Sequence, residues 1–277
     1  MLRGEVGAAP PFNEVDVGGV RLAYNDEGYG PAVVCLHAIG HGARDYAELR
    51  LRLRDRFRVI ALDWPGQGQS GPDRAPASVA RYAELLRLFL IAIRVERAVL
   101  IGNSIGGGAA IRYAFDQPHH VRGLVLANPA GLDPRDRLSG WAIAAMVRLF
   151  AGGSRGAGWF PFAFAQYYKL VLSGGFAERQ RARIVASAAE IAPVLQQAWE
   201  SFAAPESDLR ALAPNIHCPV LFAWAMRDRF VQLTRNLPAI RSFPSATLET
   251  FLAGHAPHLE TPAAFEKAVE RFLSELP

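Results

Sequence analysis

The chain has very little cysteine: two in 277 residues, at Cys35 and Cys218. Two cysteines cannot build a disulfide framework, and their positions do not form a metal-binding spacing. Long hydrophobic runs are also missing. The longest apolar stretch, Trp141 to Ala151, is interrupted by Arg148 and is too short to cross a bilayer. These absences argue against a disulfide-stapled module and against a transmembrane helix.

The first thirty residues lack the apolar core of a signal peptide and carry scattered acidic side chains. The net charge of +4 is small, and no dense basic run is interleaved with aromatic residues. A nucleic-acid partner is therefore not expected. With 51% hydrophobic and 20% charged residues, the composition is that of an ordinary globular domain. We predict a soluble, cytoplasmic protein whose oligomeric state the sequence leaves open.

Acidic residues are absent from positions 137–177, although this stretch carries four cations, Arg137, Arg148, Arg155 and Lys169. Two interpretations are open. The stretch could be a solvated basic face. Alternatively, it could favour substrates with a carboxylate or lie near an anionic membrane surface.

Eight short runs are predicted to be strands, and several are continuously apolar, as expected for parallel strands covered on both faces. The pair Gly18-Gly19 is a hairpin signal before the second strand. Alternation of strands and helices after this hairpin predicts an α/β fold with a mostly parallel eight-stranded sheet. The predicted strands are Glu14–Val17, Val20–Tyr24, Val33–Leu36, Arg58–Leu62, Ala98–Ile101, Gly123–Ala127, Val220–Trp224 and Thr247–Phe251. The predicted helices in this pattern are Arg44–Arg54, Ser78–Ile93, Gly107–Phe115, Leu233–Ile240 and Ala263–Leu276.

The alternation stops between residues 133 and 214, where no strand is expected. We interpret this stretch as a helical insertion, or cap, over the carboxyl edge of the sheet, with residues 1–132 and 215–277 forming the core domain. Six aromatic residues lie within 159–168. They could pack the insertion on the core, or some could contact substrate. The candidates for substrate contact are Trp159, Phe162 and Tyr167.

The run Gly-Asn-Ser-Ile-Gly at 102–106 carries most of the chemical information. It follows an apolar strand and precedes a helix, which is the arrangement that places a serine on a sharp turn above a sheet. Such a turn strains the serine backbone, and side chains at the two glycines would clash. Ser104 is therefore a candidate nucleophile, although it could also be an ordinary turn serine.

A serine nucleophile needs a base, and the base needs an orienting acid. Asp228 follows the predicted strand Val220–Trp224, and His255 follows the last strand. Because parallel strands end at one edge of the sheet, both side chains are expected near Ser104. Two alternatives remain: Asp228 could cap a helix, and His258 could replace His255 as the base.

Four motifs in this order resemble the α/β-hydrolase family, in its cap-bearing, esterase-like branch. They are Leu-His-Ala-Ile-Gly at 36–40, Asp-Trp-Pro-Gly-Gln-Gly-Gln-Ser at 63–70, the serine turn, and the histidine loop at 254–262. The resemblance implies Ser104 as nucleophile, His255 as general base and Asp228 as its orienting acid. It also implies an oxyanion hole formed by the main-chain N–H groups of Ile39 and Ile105, and no metal or organic cofactor.

The motifs also depart from the family pattern. Ala38 stands where glycine is usual and is a candidate pocket residue, and Ala225 replaces a glycine common after the seventh strand. His37 is expected to brace the oxyanion loop, whereas Asp63 and Ser70 are expected to be structural. The other histidines have no partner pattern and are expected to be surface or structural. They are His41, His119, His120 and His217.

The sequence thus predicts a serine hydrolase that cleaves a small carboxylic ester or related acyl compound, which could be anionic or hydrophobic. A serine at position 104 disfavours the haloalkane dehalogenases and epoxide hydrolases of the family that this chain resembles, because those enzymes use an aspartate nucleophile. Two alternatives stay open. One is a carbon–carbon bond hydrolase of ring-cleavage products that uses the same three residues. The other is a ligand-binding receptor on a hydrolase scaffold.

Overall fold

A computed structural model describes residues 12–276 of the chain. Its centre is one eight-stranded sheet with the order β1-β2-β4-β3-β5-β6-β7-β8. The hairpin strands β1 and β2 are antiparallel, β2 pairs antiparallel with β4, and the remaining neighbours are parallel. The strands are β1 Asn13–Val17, β2 Val20–Glu27, β3 Ala32–Leu36, β4 Arg58–Leu62, β5 Ala98–Asn103, β6 Val121–Ala127, β7 Val220–Ala225 and β8 Ala246–Phe251.

Ten α-helices occur within these residues, and together with the sheet they confirm the predicted fold class. The helices are α1 Ala47–Leu53, α2 Val79–Ala92, α3 Ile105–Asp116, α4 Arg137–Ser154, α5 Phe160–Val171, α6 Glu178–Ala186, α7 Ala188–Ser201, α8 Leu233–Ile240, α9 Pro257–Glu260 and α10 Pro262–Glu275. Every predicted strand is present. The predicted helix Arg44–Arg54 is a short 3-10 turn at Ala43–Tyr46 followed by α1.

Helices cover both faces of the sheet, and the side chains of each strand alternate between two cores. In β3, Val33 and Cys35 pack on the side of α1 and α10, whereas Val34 and Leu36 pack on the side of α2, α3 and α8. All four are fully buried. This burial on both faces explains why the strand is a continuous apolar run rather than an alternating one.

Helices α4 to α7 lie between β6 and β7, and we call residues 137–201 the helical segment. Its start is marked by a capping box, in which Asp136 accepts the N–H of Ser139 and the Ser139 hydroxyl accepts the N–H of Asp136. Its interior is aromatic. Phe150, Phe160, Phe164 and Tyr168 are almost completely buried and make ring contacts with one another.

Part of the signal-peptide prediction, and the start of the predicted core domain, concern residues 1–11, which lie outside the described residues. Within residues 12–276, no helix is both long and apolar enough to cross a membrane.

Candidate active site

Ser104 occupies a strained turn between β5 and α3. Its backbone has φ 53° and ψ −121°, a region that a residue with a side chain rarely adopts, and it is the residue directly before α3. The two flanking glycines permit this turn. A Cβ on Gly106 would lie 2.3 Å from the carbonyl oxygen of Leu36, and one on Gly102 would lie 2.6 Å from the main chain of Gly107. The steric argument for both glycines therefore holds in the fold.

His255 and Asp228 form a buried hydrogen-bonded pair. Nδ1 of His255 lies 2.6 Å from Oδ2 of Asp228. The other carboxylate oxygen accepts the main-chain N–H groups of Phe230 at 2.8 Å and Val231 at 3.0 Å. The carboxylate is thus held from both sides, and it presents one oxygen to the imidazole.

The electrostatics of this pair increase the proton affinity of the imidazole. Burial of the ring lowers the pKa of His255, but the nearby carboxylate of Asp228, helped by Glu260, outweighs this and raises the pKa above its ordinary value. A base with a raised pKa and a carboxylate partner is suited to accept a proton from a hydroxyl.

Ser104 and His255 line the same cavity, which has a volume of about 340 Å³. Its walls come from the loop after β3, the loop after β6, the loop after β7 and the helical segment. Ala38 and Ile39 belong to the first of these walls. The structure therefore brings Ser104, His255 and, through its hydrogen bond, Asp228 together at the carboxyl edge of the sheet.

The loop after β3 is braced by the loop after β4. Nε2 of His37 accepts the main-chain N–H of Trp64 at 2.9 Å, and Nδ1 donates to the carbonyl of Ala38 at 2.7 Å. Since Nε2 is an acceptor, the ring is neutral, and burial lowers the pKa of His37 accordingly. The side chain of Gln67 accepts the N–H of Gly40 at 2.6 Å. These contacts fix the main chain around Ile39.

The predicted oxyanion donors occupy different settings. Ile39 lies in this braced loop and lines the cavity. Ile105 is the first residue of α3, where main-chain N–H groups have no partner inside the helix. The side chain of Ile105 is fully buried.

Asp63 and Ser70 hold their own loop, in agreement with the prediction. Asp63 accepts the N–H groups of Ala43 at 2.6 Å and Gln69 at 2.9 Å. Ser70 donates to the Asp63 carbonyl at 2.7 Å. A Cβ on Gly68 would lie 2.2 Å from the Asp63 carboxylate, so only glycine fits there.

Asn128, at the end of β6, is a site residue that the sequence analysis missed as a partner of the acid. Its Nδ2 donates to Oδ2 of Asp228 at 2.8 Å, and its Oδ1 accepts the N–H of Ala225 at 2.7 Å. Its backbone is left-handed, with φ 42°. The signal was available in the asparagine directly after β6, because an amide at the end of one strand can hold a carboxylate at the end of the neighbouring strand.

Glu260 is a second missed residue. Its Oε1 accepts the N–H groups of Gly254 at 2.9 Å and His255 at 3.0 Å. Its Oε2 accepts the N–H of Gly174, in the helical segment, at 2.8 Å. One buried carboxylate thus holds the main chain of the histidine loop and ties it to the turn after α5.

His258 does not compete with His255. It is buried and stacks on Tyr46 with ring centroids 4.7 Å apart. Neither of its ring nitrogens has a hydrogen-bond partner in the described part of the chain. Burial lowers the pKa of His258 to about 3. Its ring therefore acts as an aromatic packing group.

His41 has a structural role, one of the two expected for it, and its partner is one that no sequence pattern indicated. Its Nδ1 lies 2.5 Å from Oδ2 of Asp45, whose side chain is fully buried. The other oxygen of Asp45 contacts Gln180 and Arg183 of α6. Burial raises the pKa of Asp45, but His41, His258 and Arg183 together hold it below its ordinary value. His119, His120 and His217 are exposed, as expected.

Tyr167 lines the cavity, whereas Trp159 and Phe162 do not lie among its described lining residues. The prediction for these two residues needs correction, and helical spacing explains why. The buried face of α5 repeats every fourth residue, at Phe160, Phe164 and Tyr168. Phe162 lies on the opposite face and is 73% exposed, and Trp159 precedes the helix and packs against α4.

Three arginines line the cavity, and two of them have partners. Arg235 pairs with Asp133 at 2.7 Å and Asp136 at 3.0 Å. Arg135 donates to main-chain carbonyls, among them that of Ala204 at 2.7 Å. Arg229 is exposed. No group of three or more metal-ligating side chains occurs within residues 12–276.

Comparison with known proteins gives the family. The model of the alpha/beta hydrolase family matches residues 33–268. An uncharacterized protein of Mycobacterium tuberculosis is 38% identical over 132 residues, which cover 47% of this chain and 39% of that protein, so the chain spans well under half of this relative. A 2-hydroxymuconate semialdehyde hydrolase of Pseudomonas putida is 29% identical over 279 residues, covering 95% of this chain and 94% of the relative. Among solved structures, a bacterial membrane phospholipase A aligns with a TM-score of 0.80 and 25% identity, covering 95% of this chain and 86% of its own. Because the family model spans most of the chain and the sheet order agrees with it, this protein belongs to the α/β-hydrolase family.

Proposed function

We propose that this protein is a serine hydrolase that cleaves a carboxylic ester, or a related acyl compound, through an acyl-enzyme. The observation that carries the proposal is the 2.6 Å hydrogen bond between Asp228 and His255, whose ring opens to the same cavity as Ser104. A carboxylate-oriented imidazole beside a serine on a strained turn is the arrangement that activates a hydroxyl nucleophile.

In the proposed reaction, the Ser104 hydroxyl attacks the ester carbonyl while His255 accepts its proton. Asp228 holds Nδ1–H of the ring, so Nε2 is the basic nitrogen. The main-chain N–H groups of Ile39 and Ile105 stabilise the oxyanion, each contributing on the order of 10²–10³ in rate. His255 then protonates the leaving alcohol. Water, deprotonated by His255, releases the acid and regenerates the serine.

Two of the three arginines that line the cavity already have partners and so favour an apolar acyl group over an anionic one, whereas Arg229 is exposed. Arg235 is neutralised by two carboxylates, and Arg135 donates to main-chain carbonyls. A substrate carboxylate would therefore compete with partners that these arginines already have. Apolar walls from Ile143, Tyr167 and Val171 suit an alkyl or aryl group.

We further propose that residues 133–214 form a cap over a core of residues 1–132 and 215–277. Support comes from the cavity itself, whose lining includes residues of α4, α5 and α7 together with the loops at the carboxyl edge of the sheet. We also propose a cytoplasmic location.

Carbon–carbon bond hydrolysis of a vinylogous diketone is the second candidate. A specific observation favours it: the 2-hydroxymuconate semialdehyde hydrolase matches nearly the whole chain. Against it, this chain has Ala38-Ile39 where such hydrolases usually carry a glycine-rich oxyanion loop, and Ala256-Pro257 where they usually have a tryptophan soon after the histidine. The third candidate, a receptor that binds a ligand without turnover, uses the same cavity.

A series of p-nitrophenyl esters of rising acyl length tests these candidates, with Ser104→Ala as the loss variant and the exposed Ser242→Ala as its control. We expect kcat to fall by about 10⁶ in Ser104→Ala, the scale for removal of the nucleophile from a serine triad, and to stay unchanged in Ser242→Ala. Mass spectrometry of the intact protein should show an acyl adduct that Ser104→Ala lacks.

The alternatives predict other results. Turnover of a dienoate diketone with negligible ester hydrolysis would support the second candidate. Equal, near-zero rates in wild type and Ser104→Ala, with retained binding of an ester analogue, would support the receptor and contradict the proposed chemistry.

A further inference from the structure

Exposed apolar side chains concentrate on the helical segment. Six of the thirteen large apolar residues that are exposed in the described chain lie between positions 138 and 176, a stretch of about 39 residues. Trp141 is 80% exposed and Trp159 is 53% exposed. Single exposed apolar residues are ordinary, but a cluster of them marks a binding surface.

Part of this surface is a stripe of residues along one face of α4. Positions 141, 145, 148, 152 and 155 are spaced by four and three residues, so they lie on one face of the helix. Phe150, the buried anchor of α4, lies nine residues after Trp141 and therefore on the opposite face. With a rise of about 1.5 Å per residue, the stripe is about 21 Å long.

The stripe alternates aromatic rings with cations. Trp141 is followed by the exposed Arg148, then by Gly152 and the exposed Arg155. The ring of Trp159 packs over Gly152, since a Cβ at this glycine would lie 2.4 Å from the indole. Within residues 12–276, neither arginine pairs with a carboxylate. No acidic residue occurs from position 137 to 177, so this part of the helical segment contributes only positive formal charge.

The stripe begins at the mouth of the cavity. Leu138, Ser139, Ala142 and Ile143, in the first turns of α4, line the cavity that holds Ser104. Leu138 lies three residues before Trp141, hence on the same side of the helix, and is 67% exposed. A surface that bound to this stripe would therefore lie beside the entrance to the cavity.

We infer that the stripe formed by Trp141, Arg148, Trp159 and Arg155 binds the surface of a bilayer that contains anionic lipid. Indole rings settle at the level of the headgroups, and arginines beside them pair with lipid phosphates. A second copy of this chain fits less well, because two cationic stripes would face each other across a two-fold axis. Given the proposed hydrolysis, esters dissolved in the bilayer would reach Ser104 from this side.

Sedimentation with sucrose-loaded vesicles tests the inference without any measurement of activity. Wild type and Ser104→Ala should bind vesicles of phosphatidylcholine mixed with phosphatidylglycerol, bind vesicles of phosphatidylcholine alone much more weakly, and release as salt rises. Each arginine removed in Arg148→Gln and Arg155→Gln should weaken binding about fivefold, as expected for a cation near an anionic surface. Trp141→Ser, at a site with no buried contact to lose, should weaken it about tenfold.

The matched control carries the same kinds of change near the amino ends of the parallel strands, away from the carboxyl edge that holds the cavity. Tyr29 is 91% exposed before β3, and Arg97 is exposed before β5. The double variant Tyr29→Ser/Arg97→Gln should bind like wild type. The inference is overturned if wild type does not bind anionic vesicles, or if the stripe variants bind as well as this control. It is also overturned if size-exclusion chromatography shows a dimer that Trp141→Ser dissociates, since a second copy would then cover the stripe.

Discussion

Asn128 donates a hydrogen bond to the oxygen of Asp228 that also faces the imidazole: Oδ2 lies 2.8 Å from Asn128 Nδ2 and 2.6 Å from His255 Nδ1. The ends of β6 and β7 therefore converge on one carboxylate. A carboxylate placed on β6 instead of β7 would lie close to the same imidazole.

The first prediction uses this proximity. Asp228→Asn should lower kcat by about 10⁴, the effect expected when the orienting acid becomes an amide. Adding Asn128→Asp to that variant should restore activity by at least tenfold, because it returns a carboxylate to the neighbourhood of His255. Steady-state kinetics on the best p-nitrophenyl ester measure both effects. No recovery, in a double variant that unfolds like wild type, would show that only β7 can supply the acid.

The second prediction concerns the pH dependence of activity. His255 must be neutral to accept a proton, and Asp228 raises the pKa of its ring. The value of kcat/KM should therefore fall as pH decreases, with a midpoint above the value of about 6.5 for a free imidazole. In Asp228→Asn the midpoint should move to lower pH, since the raising charge is gone. A midpoint that does not move between the two proteins would contradict the role given to Asp228.

A third prediction compares two glycines. Gly106→Ala would place a Cβ 2.3 Å from the main-chain oxygen of Leu36, in the centre of the sheet. We expect a loss of about 3 kcal/mol or more in the free energy of unfolding, because the strand cannot move aside without breaking its pairing. Gly140→Ala, inside α4, meets nothing within 4 Å. It should raise stability by about 0.5–1 kcal/mol. Urea unfolding measures both changes, and a similar effect at the two positions would contradict the steric argument.

The fourth prediction concerns stability at acid pH. The folded protein keeps His258 neutral down to a pH of about 3, whereas the unfolded chain protonates it near 6.5. Between these values the unfolded state binds the extra proton, so stability falls as pH decreases, by up to about 1.4 kcal/mol per pH unit from this group. The contribution is complete above pH 6.5.

His258→Phe should keep the stack on Tyr46 and remove this component of the pH dependence. It should also lose no hydrogen bond, since neither ring nitrogen has a described partner. Thermal unfolding from neutral to acid pH compares it with wild type and with the exposed His119→Gln, which should leave the slope unchanged. An unaltered slope in His258→Phe would mean that other groups carry the acid sensitivity.

The strands and the serine turn could be predicted because their signals are local. The apolar run of β3 indicates burial on both faces of the strand. The glycines around Ser104 indicate a tight turn, because a side chain at either glycine position would clash with the main chain. Asp228 and His255 could be placed because the ends of parallel strands share one edge of the sheet. Family resemblance then added the roles of the residues.

The remaining contacts depend on distances that no local pattern carries. Asp45, the partner of His41, also pairs with Arg183, which lies more than a hundred residues away in the chain. Asn128 contacts Asp228 only because β6 and β7 are neighbours in the sheet. The placement of Phe162, in contrast, could have been predicted from the four-residue spacing of the buried aromatic residues in α5.

The carboxylate of Glu260 links the histidine loop to the helical segment. It binds the main chain of His255 with one oxygen and Gly174 with the other. Lifting the turn after α5 would break the contact between Gly174 and this carboxylate, which also holds the main chain of the base. Displacement of that turn is therefore coupled to the position of His255 through a single side chain.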